Sequence, residues 1–266
     1  MEIYTISKIS DFIEQIKEIR KKWFVGNKGI HTIWYRGIND GNLKLLPGAY
    51  WRKNCDEESL VNTFTTMLPS YSNTLPNSEW DWYFSMQHYG LPTRLLDWTE
   101  NPLYAFYFAL STKKNNKKPC VYILDPVSLN KASYGRKEDW IYIGGEYINN
   151  YLPNYCDRGK PIIKSENDNC LPSNEYPIAL FPTRSNHRLV AQRGVFTIHG
   201  IKEISIDEHM INNKFRVPSK ITRIDIDIRF VKEMFNDLYY LGTDVFQLFP
   251  EPDKISQYAK EIYGIK

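Results

Sequence analysis

The sequence predicts an α+β fold with a single mixed β-sheet core and flanking helices. Helical and strand patterns both occur along the 266 residues, but they do not follow the strict βαβ rhythm of a doubly wound sheet. Hydrophobic residues make up 42% of the chain and aromatic residues 15%, which is enough to bury a sizeable core and argues against disorder. The length suits one large domain or two small ones.

An amphipathic helix is predicted at about 10–24, near the N-terminus. Apolar residues recur at helical spacing through FIEQIKEIRKKW, and Ser10 and Asp11 before that segment provide a capping signal. The segment IHTIWYRG then reads as a short strand that stops at a polar turn.

Three further helices and a strand are predicted in the middle of the chain. DEESLVNTFTTMLPSY carries Asp56 as its cap, SEWDWYFSMQHYG ends at Gly90, and LYAFYFALST starts from Asn101 and Pro102. The stretch Thr93–Trp98 is predicted to be a loop between two buried helices. CVYILDP has the composition of a strand.

The pattern weakens over about 126–180, which is rich in Asn, Tyr, Gly and Pro. We expect an insertion with little regular structure, acting as a lid or covering element. IALFPT, GVFTIHG and ITRIDIDI then predict strands, with Gln192 and Arg193 on a strand just before Gly194. RFVKEMFNDLYYLG predicts a helix, and a last short helix follows LFPEPD.

Composition indicates a cytoplasmic protein without a membrane partner. No basic, apolar leader and no run of about 20 apolar residues occurs. The formal net charge of +3 permits an anionic ligand and gives little support to RNA or DNA binding. The cysteines have neither C-x-x-C nor zinc-finger spacing, so we expect reduced thiols and no metal site at Cys55, Cys120, Cys156 and Cys170.

Familiar catalytic motifs are missing from the sequence. It contains no G-x-x-x-x-G-K-[ST], G-x-G-x-x-G, H-E-x-x-H or G-x-S-x-G. Arg94 and Asp97 lack the extra carboxylates of a nuclease metal cluster, so the sequence does not support hydrolysis by a divalent metal.

Arg36 is the first candidate site residue. It ends an apolar strand, where its fork of donors suits a carboxylate or a pyrophosphate, and Gly37 lets a ligand or another backbone come close. The other interpretation is that Arg36 fastens the core by pairing with Asp97 or another acid. The sequence leaves both interpretations open.

The block MQHYGLPTRLLDWT is the second candidate. Its polar side chains either satisfy one another and the backbone, or face a cleft at the start of the next helix. We assign His88, Tyr89 and Arg94 as the candidates that face a ligand. The predicted structural network consists of Asp97, Trp98 and Thr99.

Gln192 is the third candidate, since it could lie at the edge of a cleft. The same residue on an edge strand would be an ordinary surface side chain. His187, His199 and His209 are predicted to be structural or exposed. Three acids in the loosely patterned region could reach a cleft, but nothing in the sequence singles out one of Glu146, Glu166 and Glu175.

Several segments together resemble the FRG domain, a family named for an aromatic-Arg-Gly tripeptide. They are WYRG at 34–37, QHYGLPTRLLDWTENPLYAFYFAL at 87–110, HRLVAQRGVFTIHG at 187–200 and YYLGTDVFQLFPEPD at 239–253. The resemblance implies a single FRG domain over 1–266, with core motifs at 34–110 and 187–253 and the insertion at about 126–180. It also implies a bacterial or phage source.

A more distant resemblance links the chain to ADP-ribosyltransferases. It implies that NAD is the substrate, that Arg36 contacts NAD, and that Tyr89 or Tyr104 stacks on the nicotinamide. Gln192 would stand where that fold has a Glu, with His88 as a second catalytic candidate. Gln cannot act as a general base, so activity is altered or another acid supplies the charge.

These resemblances imply a nucleotide-like small-molecule partner, and no metal is predicted. The expected role is that of an ADP-ribosyltransferase-like toxin or phage-defence effector. It would be either a transferase with an unknown macromolecular acceptor or an NAD glycohydrolase. The alternative is a non-enzymatic binding module in which the polar block is structural.

Overall fold

A computed structural model describes residues 1–26, 31–111, 117–135, 146–153, 174–184 and 187–265. The strands are β1 (Glu2–Ile6), β2 (Trp34–Ile38), β3 (Leu95–Thr99), β4 (Cys120–Leu124), β5 (Ile178–Leu180), β6 (Gly194–Ile198) and β7 (Ile221–Ile226). The helices are α1 (Ile9–Trp23), α2 (Glu57–Met67), α3 (Glu79–His88), α4 (Pro102–Ser111), α5 (Pro126–Tyr134), α6 (His187–Ala191), α7 (Ile206–Ile211), α8 (Val231–Tyr240), α9 (Val245–Leu248) and α10 (Pro252–Ile262). Short 3-10 helices occur at Leu68–Ser70, Glu146–Tyr151 and Ile228–Phe230.

The strands form one mixed sheet in the order β1-β7-β4-β2-β3-β6-β5. β1 runs parallel to β7, and the other neighbours are antiparallel. Helices pack against this sheet, which confirms the predicted α+β fold. Within the described ranges, none of the helices is long and apolar enough to cross a membrane.

Two apolar clusters lie side by side on one face of the sheet. The first covers β1, β7, β4 and β2 with α1, α4 and α8, and includes Phe12 and Phe106. The second covers β3, β6 and β5 with α3, and includes Phe84 and Phe196. On the opposite face, α5 and α7 pack over Trp34 and other residues of a third cluster. The boundary between the first two clusters is the boundary between β2 and β3.

β2 and β3 separate soon after they meet. Their described pairing is limited to Tyr35 opposite Thr99, whereas β2 pairs with β4 at five positions. Beyond Tyr35, Gly37 lies against the backbone of α4, since a Cβ at residue 37 would stand 1.7 Å from the carbonyl oxygen of Ala105. The sheet therefore opens at its centre, beside a helix that packs directly on β2.

Two segments were predicted with the wrong type of secondary structure. Most of the predicted loop Thr93–Trp98 is part of strand β3, which pairs with all five residues of β6. Its pattern was hidden because Leu95, Leu96 and Trp98 bury both faces of the strand and leave no alternation to detect. The strand predicted to carry Gln192 and Arg193 does not form: His187–Ala191 are the short helix α6, and Gln192 and Arg193 lie in the turn that follows it.

The predicted insertion over 126–180 is more regular than expected in its first part. Residues 126–134 form α5, which starts at Pro126 with Asp125 as its cap. Buried apolar residues such as Leu129 pack α5 on the sheet, so it belongs to the core. Residues 136–145 and 154–173 lie outside the described part.

The N-terminal elements also differ from prediction. α1 begins at Ile9, because Ile9 joins the buried stripe of that helix, and Ser10 and Asp11 lie in its first turn rather than before it. β1 was not predicted. The caps at Asp56 and Asn101 are confirmed, because both side chains accept backbone N–H groups of the following helix.

Candidate functional site

A pocket of about 490 Å³ lies where β2 and β3 separate. Residues of β2, β3, β6, α3, α4 and α6 line it, and Phe249 after α9 adds to the wall. This volume lies within the range of about 300–1,000 Å³ that is usual for small-molecule sites. The pocket brings together seven residues that the sequence singled out as functional or structural candidates: Arg36, Gly37, His88, Asp97, Trp98, Thr99 and Gln192.

Arg36 reaches across the opening between the strands. Its Nη1 donates a hydrogen bond to the backbone carbonyl of Asp97 and lies 3.9 Å from the Asp97 carboxylate. About a fifth of the side chain is exposed, at 22%. Burial lowers the pKa of the guanidinium and Asp97 opposes that shift, but an arginine stays charged. The other N–H groups of the guanidinium make no hydrogen bond with the described residues, so they can bind an anion or a ligand carbonyl.

Asp97 is held from the side of α3. Its Oδ2 accepts a hydrogen bond of 2.8 Å from Nε2 of Gln87, whose Oε1 in turn accepts one of 2.5 Å from Thr93. The Asp97 side chain is 61% exposed, although its neighbours on β3 are buried. A strand in the middle of a sheet thus presents one open carboxylate to the pocket.

His88 lies at the last residue of α3, near Arg188 and Glu251. Burial lowers its pKa, Arg188 lowers it further, and Glu251 opposes the change. The ring is therefore neutral near pH 7 and can accept a proton or a hydrogen bond. Arg188 itself lies 4.0 Å from Glu251 and 4.6 Å from the centre of the Phe249 ring.

Gln192 follows α6 and is fixed at both its side chain and its backbone. Its Nε2 donates to the carbonyl of Leu248 at 3.0 Å, and its own carbonyl accepts a hydrogen bond of 2.7 Å from Thr99. The amide is thus a positioned neutral group. Gln192 cannot supply the negative charge of a carboxylate.

Aromatic rings supply the apolar part of the lining. Phe84 and Phe196 stack with ring centroids 5.0 Å apart, and Phe108 meets Phe249 edge-on at 6.0 Å. Tyr35 also contributes, and burial raises its pKa to about 12. Flat rings of this kind suit a planar group such as a nucleobase or nicotinamide.

Arg94 does not line the pocket. It is 1% exposed, and its Nε donates to Glu57 at 2.7 Å. It also donates to the carbonyls of His199 and Tyr151. Tyr83 links the same group, since its hydroxyl donates to Glu57 and accepts the backbone N–H of Arg94. The expectation that Arg94 faces a cleft was therefore wrong. Arg94 lies in the core because it pairs there with Glu57, which is 37 residues earlier in the chain.

The two predicted stacking tyrosines also lie outside the pocket lining. Tyr89 is 61% exposed and packs near Phe64, with ring centroids 5.9 Å apart. Tyr104 is half-buried against the cluster under α4. Trp98 and Thr99 line the pocket and also make structural hydrogen bonds, Trp98 to Thr197 at 3.0 Å and Thr99 to Gln192.

Sequence reasoning missed several lining residues. Gln87 and Arg188 belong to the quoted FRG-like segments, so their place in those motifs was a usable signal. The phenylalanines were hidden because an aromatic residue on a helix or strand looks like ordinary core. Asp81 also lines the wall, but its carboxylate accepts hydrogen bonds from Ser78 and Thr183.

The sequence analysis also named three acids in the loosely patterned region. None of them contributes a carboxylate of the described structure to this pocket. Glu175 pairs with Lys202 at 3.3 Å and is not among the lining residues. Glu166 lies outside the described residues, as do Cys156 and Cys170. Within the described ranges, no three His, Cys, Asp or Glu side chains are grouped so that they could hold a metal.

Comparison with known proteins identifies one family. The model of the FRG domain matches residues 31–118, which is about a third of the chain and includes Arg36, His88 and Asp97. The FRG-like segments at 187–200 and 239–253 lie outside that match. No curated protein and no solved structure matches the chain.

Proposed function

Starting from a chain that carries an FRG domain over residues 31–118, we propose that the pocket between β2 and β3 binds an anionic, nucleotide-like ligand, with NAD as the leading candidate. The observation that carries the proposal is the convergence of Arg36, His88 and Gln192, which are far apart in sequence, on one pocket of ligand size. The protein would act as an ADP-ribosyltransferase-like toxin or phage-defence effector.

The mixture of charges favours a nucleotide over a simple anion. Arg36 and Arg188 offer positive charge, while Asp97 offers negative charge in the same pocket. A bare phosphate would be repelled by the carboxylate. A nucleotide can place its phosphates near the arginines and its sugar or base near the carboxylate. The aromatic lining suits the flat ring of such a ligand.

Turnover is a separate proposal from binding. Neutral His88 is the residue best suited to accept a proton, and Gln192 is suited to orient a ligand through its amide. If the protein cleaves NAD, nicotinamide release should fall in His88→Ala, whereas NAD affinity should change much less.

Isothermal titration calorimetry tests the binding proposal. We expect the wild type to bind NAD or ADP-ribose, and Arg36→Ala to weaken binding about tenfold or more through the loss of a charged hydrogen bond. Arg36→Lys keeps the charge and serves if the alanine variant unfolds. Arg229→Ala is the matched control, because Arg229 is 77% exposed and does not line the pocket. Absence of heat for the wild type with NAD, ADP-ribose and other nucleotides would rule out the ligand.

A second candidate is a non-enzymatic binding module. The buried contacts of Arg94 favour it, because they give part of the FRG-like block a purely structural role. Under this alternative, partners dock on exposed aromatic residues such as Tyr240, which is 85% exposed. Arg36→Ala would then lower the melting temperature sharply and leave no ligand affinity to lose.

A further inference from the structure

We propose that Asp97 binds the vicinal hydroxyls of a ribose, so that the pocket selects ribonucleotides over 2′-deoxyribonucleotides. This inference rests on the proposed nucleotide-binding function and deepens it by naming the sugar. It also changes the role of Asp97 from the structural one that the sequence predicted.

The geometry leaves one side of the Asp97 carboxylate available. Oδ2 accepts the hydrogen bond from Gln87, and Arg36 stands too far from it, at 3.9 Å, for a hydrogen bond. Oδ1 accepts no hydrogen bond from the described residues, and the side chain is 61% exposed. An ionised carboxylate accepts hydrogen bonds and donates none, so its ligand partner must be a donor.

A neutral hydroxyl fits that donor better than a cation or a phosphate. Arg36 already stands on one side of Asp97 and would repel a cationic group placed beside it. A phosphate on Arg36 would be repelled by Asp97 unless hydroxyls lay between the two charges. In a nucleotide, the ribose hydroxyls lie close to the phosphate, and an acidic side chain on a ribose hydroxyl is a known means of dinucleotide recognition.

Asp81 does not offer the same chemistry, although it lines the pocket. Its Oδ1 accepts a hydrogen bond of 2.5 Å from Thr183, and its Oδ2 accepts one of 2.8 Å from Ser78. Each carboxylate oxygen of Asp81 therefore already has a protein donor. Among the described acids that line the pocket, Asp97 is the one whose carboxylate has an oxygen without a protein donor.

The test compares NAD with its two 2′-deoxy analogues, each lacking the hydroxyl of one ribose, by calorimetry. We expect the wild type to bind NAD about tenfold more tightly than at least one analogue, because one hydrogen bond to a charged group is lost. Asp97→Ala should bind all three ligands with similar affinity. Asp97→Asn keeps the shape and the contact with Gln87, and should retain part of the discrimination.

Asp253→Asn is the control, since Asp253 is 68% exposed and lies outside the pocket lining. It should discriminate as the wild type does. Equal affinity of the wild type for all three ligands, or full discrimination by Asp97→Ala, would overturn the inference and leave the proposed function standing. Absence of NAD binding by the wild type would overturn the proposed function, and this inference with it.

Discussion

A methyl group on Gly37 would collide with the backbone of α4, because its Cβ would lie 1.7 Å from the Ala105 carbonyl oxygen and 2.7 Å from the Ala109 nitrogen. Backbone atoms of a helix cannot rotate away as the end of a side chain can. The glycine of the FRG-like tripeptide is thus required by the packing of a helix on a strand, and Arg36 beside it depends on that packing for its position.

Gly37→Ala should therefore destabilise the fold strongly. Overpacking a close backbone contact costs about 3 kcal/mol, at the upper end of the usual range, and we expect a fall of about 6–12 °C in melting temperature for a chain of this size. Gly90→Ala is the comparison, because a Cβ at Gly90 meets nothing within 4 Å and only its φ of +82° is strained. A smaller loss at Gly37 than at Gly90 would contradict this account.

At the scale of elements, the buried ion pair of Glu57 and Arg94 ties α2 to the start of β3. Tyr83 of α3 joins the pair through its hydroxyl, and burial raises the pKa of that hydroxyl well above its usual value. The carbonyl of His199 after β6 accepts a further hydrogen bond. Helices α2 and α3, the start of β3 and the end of β6 are thereby held in one arrangement beside the pocket.

Arg94→Met and Glu57→Leu should each cost about 3–5 kcal/mol, because each leaves a buried charge without its partner. The double variant should cost clearly less than the sum of the two single variants. Chemical denaturation of the four proteins measures this coupling. Additive losses would show that the ion pair does not act as a unit. Arg229→Ala removes a guanidinium that is 77% exposed and should change stability much less.

Sequence reasoning succeeded on elements whose pattern is local. Asp56 and Asn101 marked helix starts because a cap is recognised from the next three residues. It failed on β3, because a strand buried on both faces shows no alternation, and on Arg94, because nothing beside it in the sequence reveals Glu57. The sequence singled out Arg36, His88 and Gln192 as candidates, and these residues line one pocket, whereas the open position of Asp97 follows only from the separation of two strands.

At the scale of the whole molecule, two buried histidines make the fold sensitive to acid. Burial lowers the pKa of His199 to about 3 and that of His209 to about 4, with Lys202 and Lys214 adding to the shift at His209. In the unfolded chain both rings titrate near 6.5. Below that pH the unfolded chain binds protons at these rings and the folded chain does not, so the free energy of unfolding falls as the pH falls.

Each histidine should cost about 2 kcal/mol of stability at pH 5 compared with pH 7.5. His199→Phe should remove its share, because neither ring nitrogen of His199 has a hydrogen-bond partner in the described structure and phenylalanine has a similar ring. Urea unfolding at both pH values measures the difference. An unchanged pH dependence in His199→Phe would show that this ring is not the acid-sensitive group.

The parallel pairing of β1 with β7 also governs how the chain can fold while it is being made. The hydroxyl of Thr222 donates to the carbonyl of Glu2 across 220 positions of sequence. At ribosomal rates of about 5–20 residues per second, β1 waits roughly 10–40 s before its partner emerges. Until then β1 has no strand to pair with, so a chaperone could bind this N-terminal segment for longer than any other strand. The edge of β7 would be the last sheet edge to be covered.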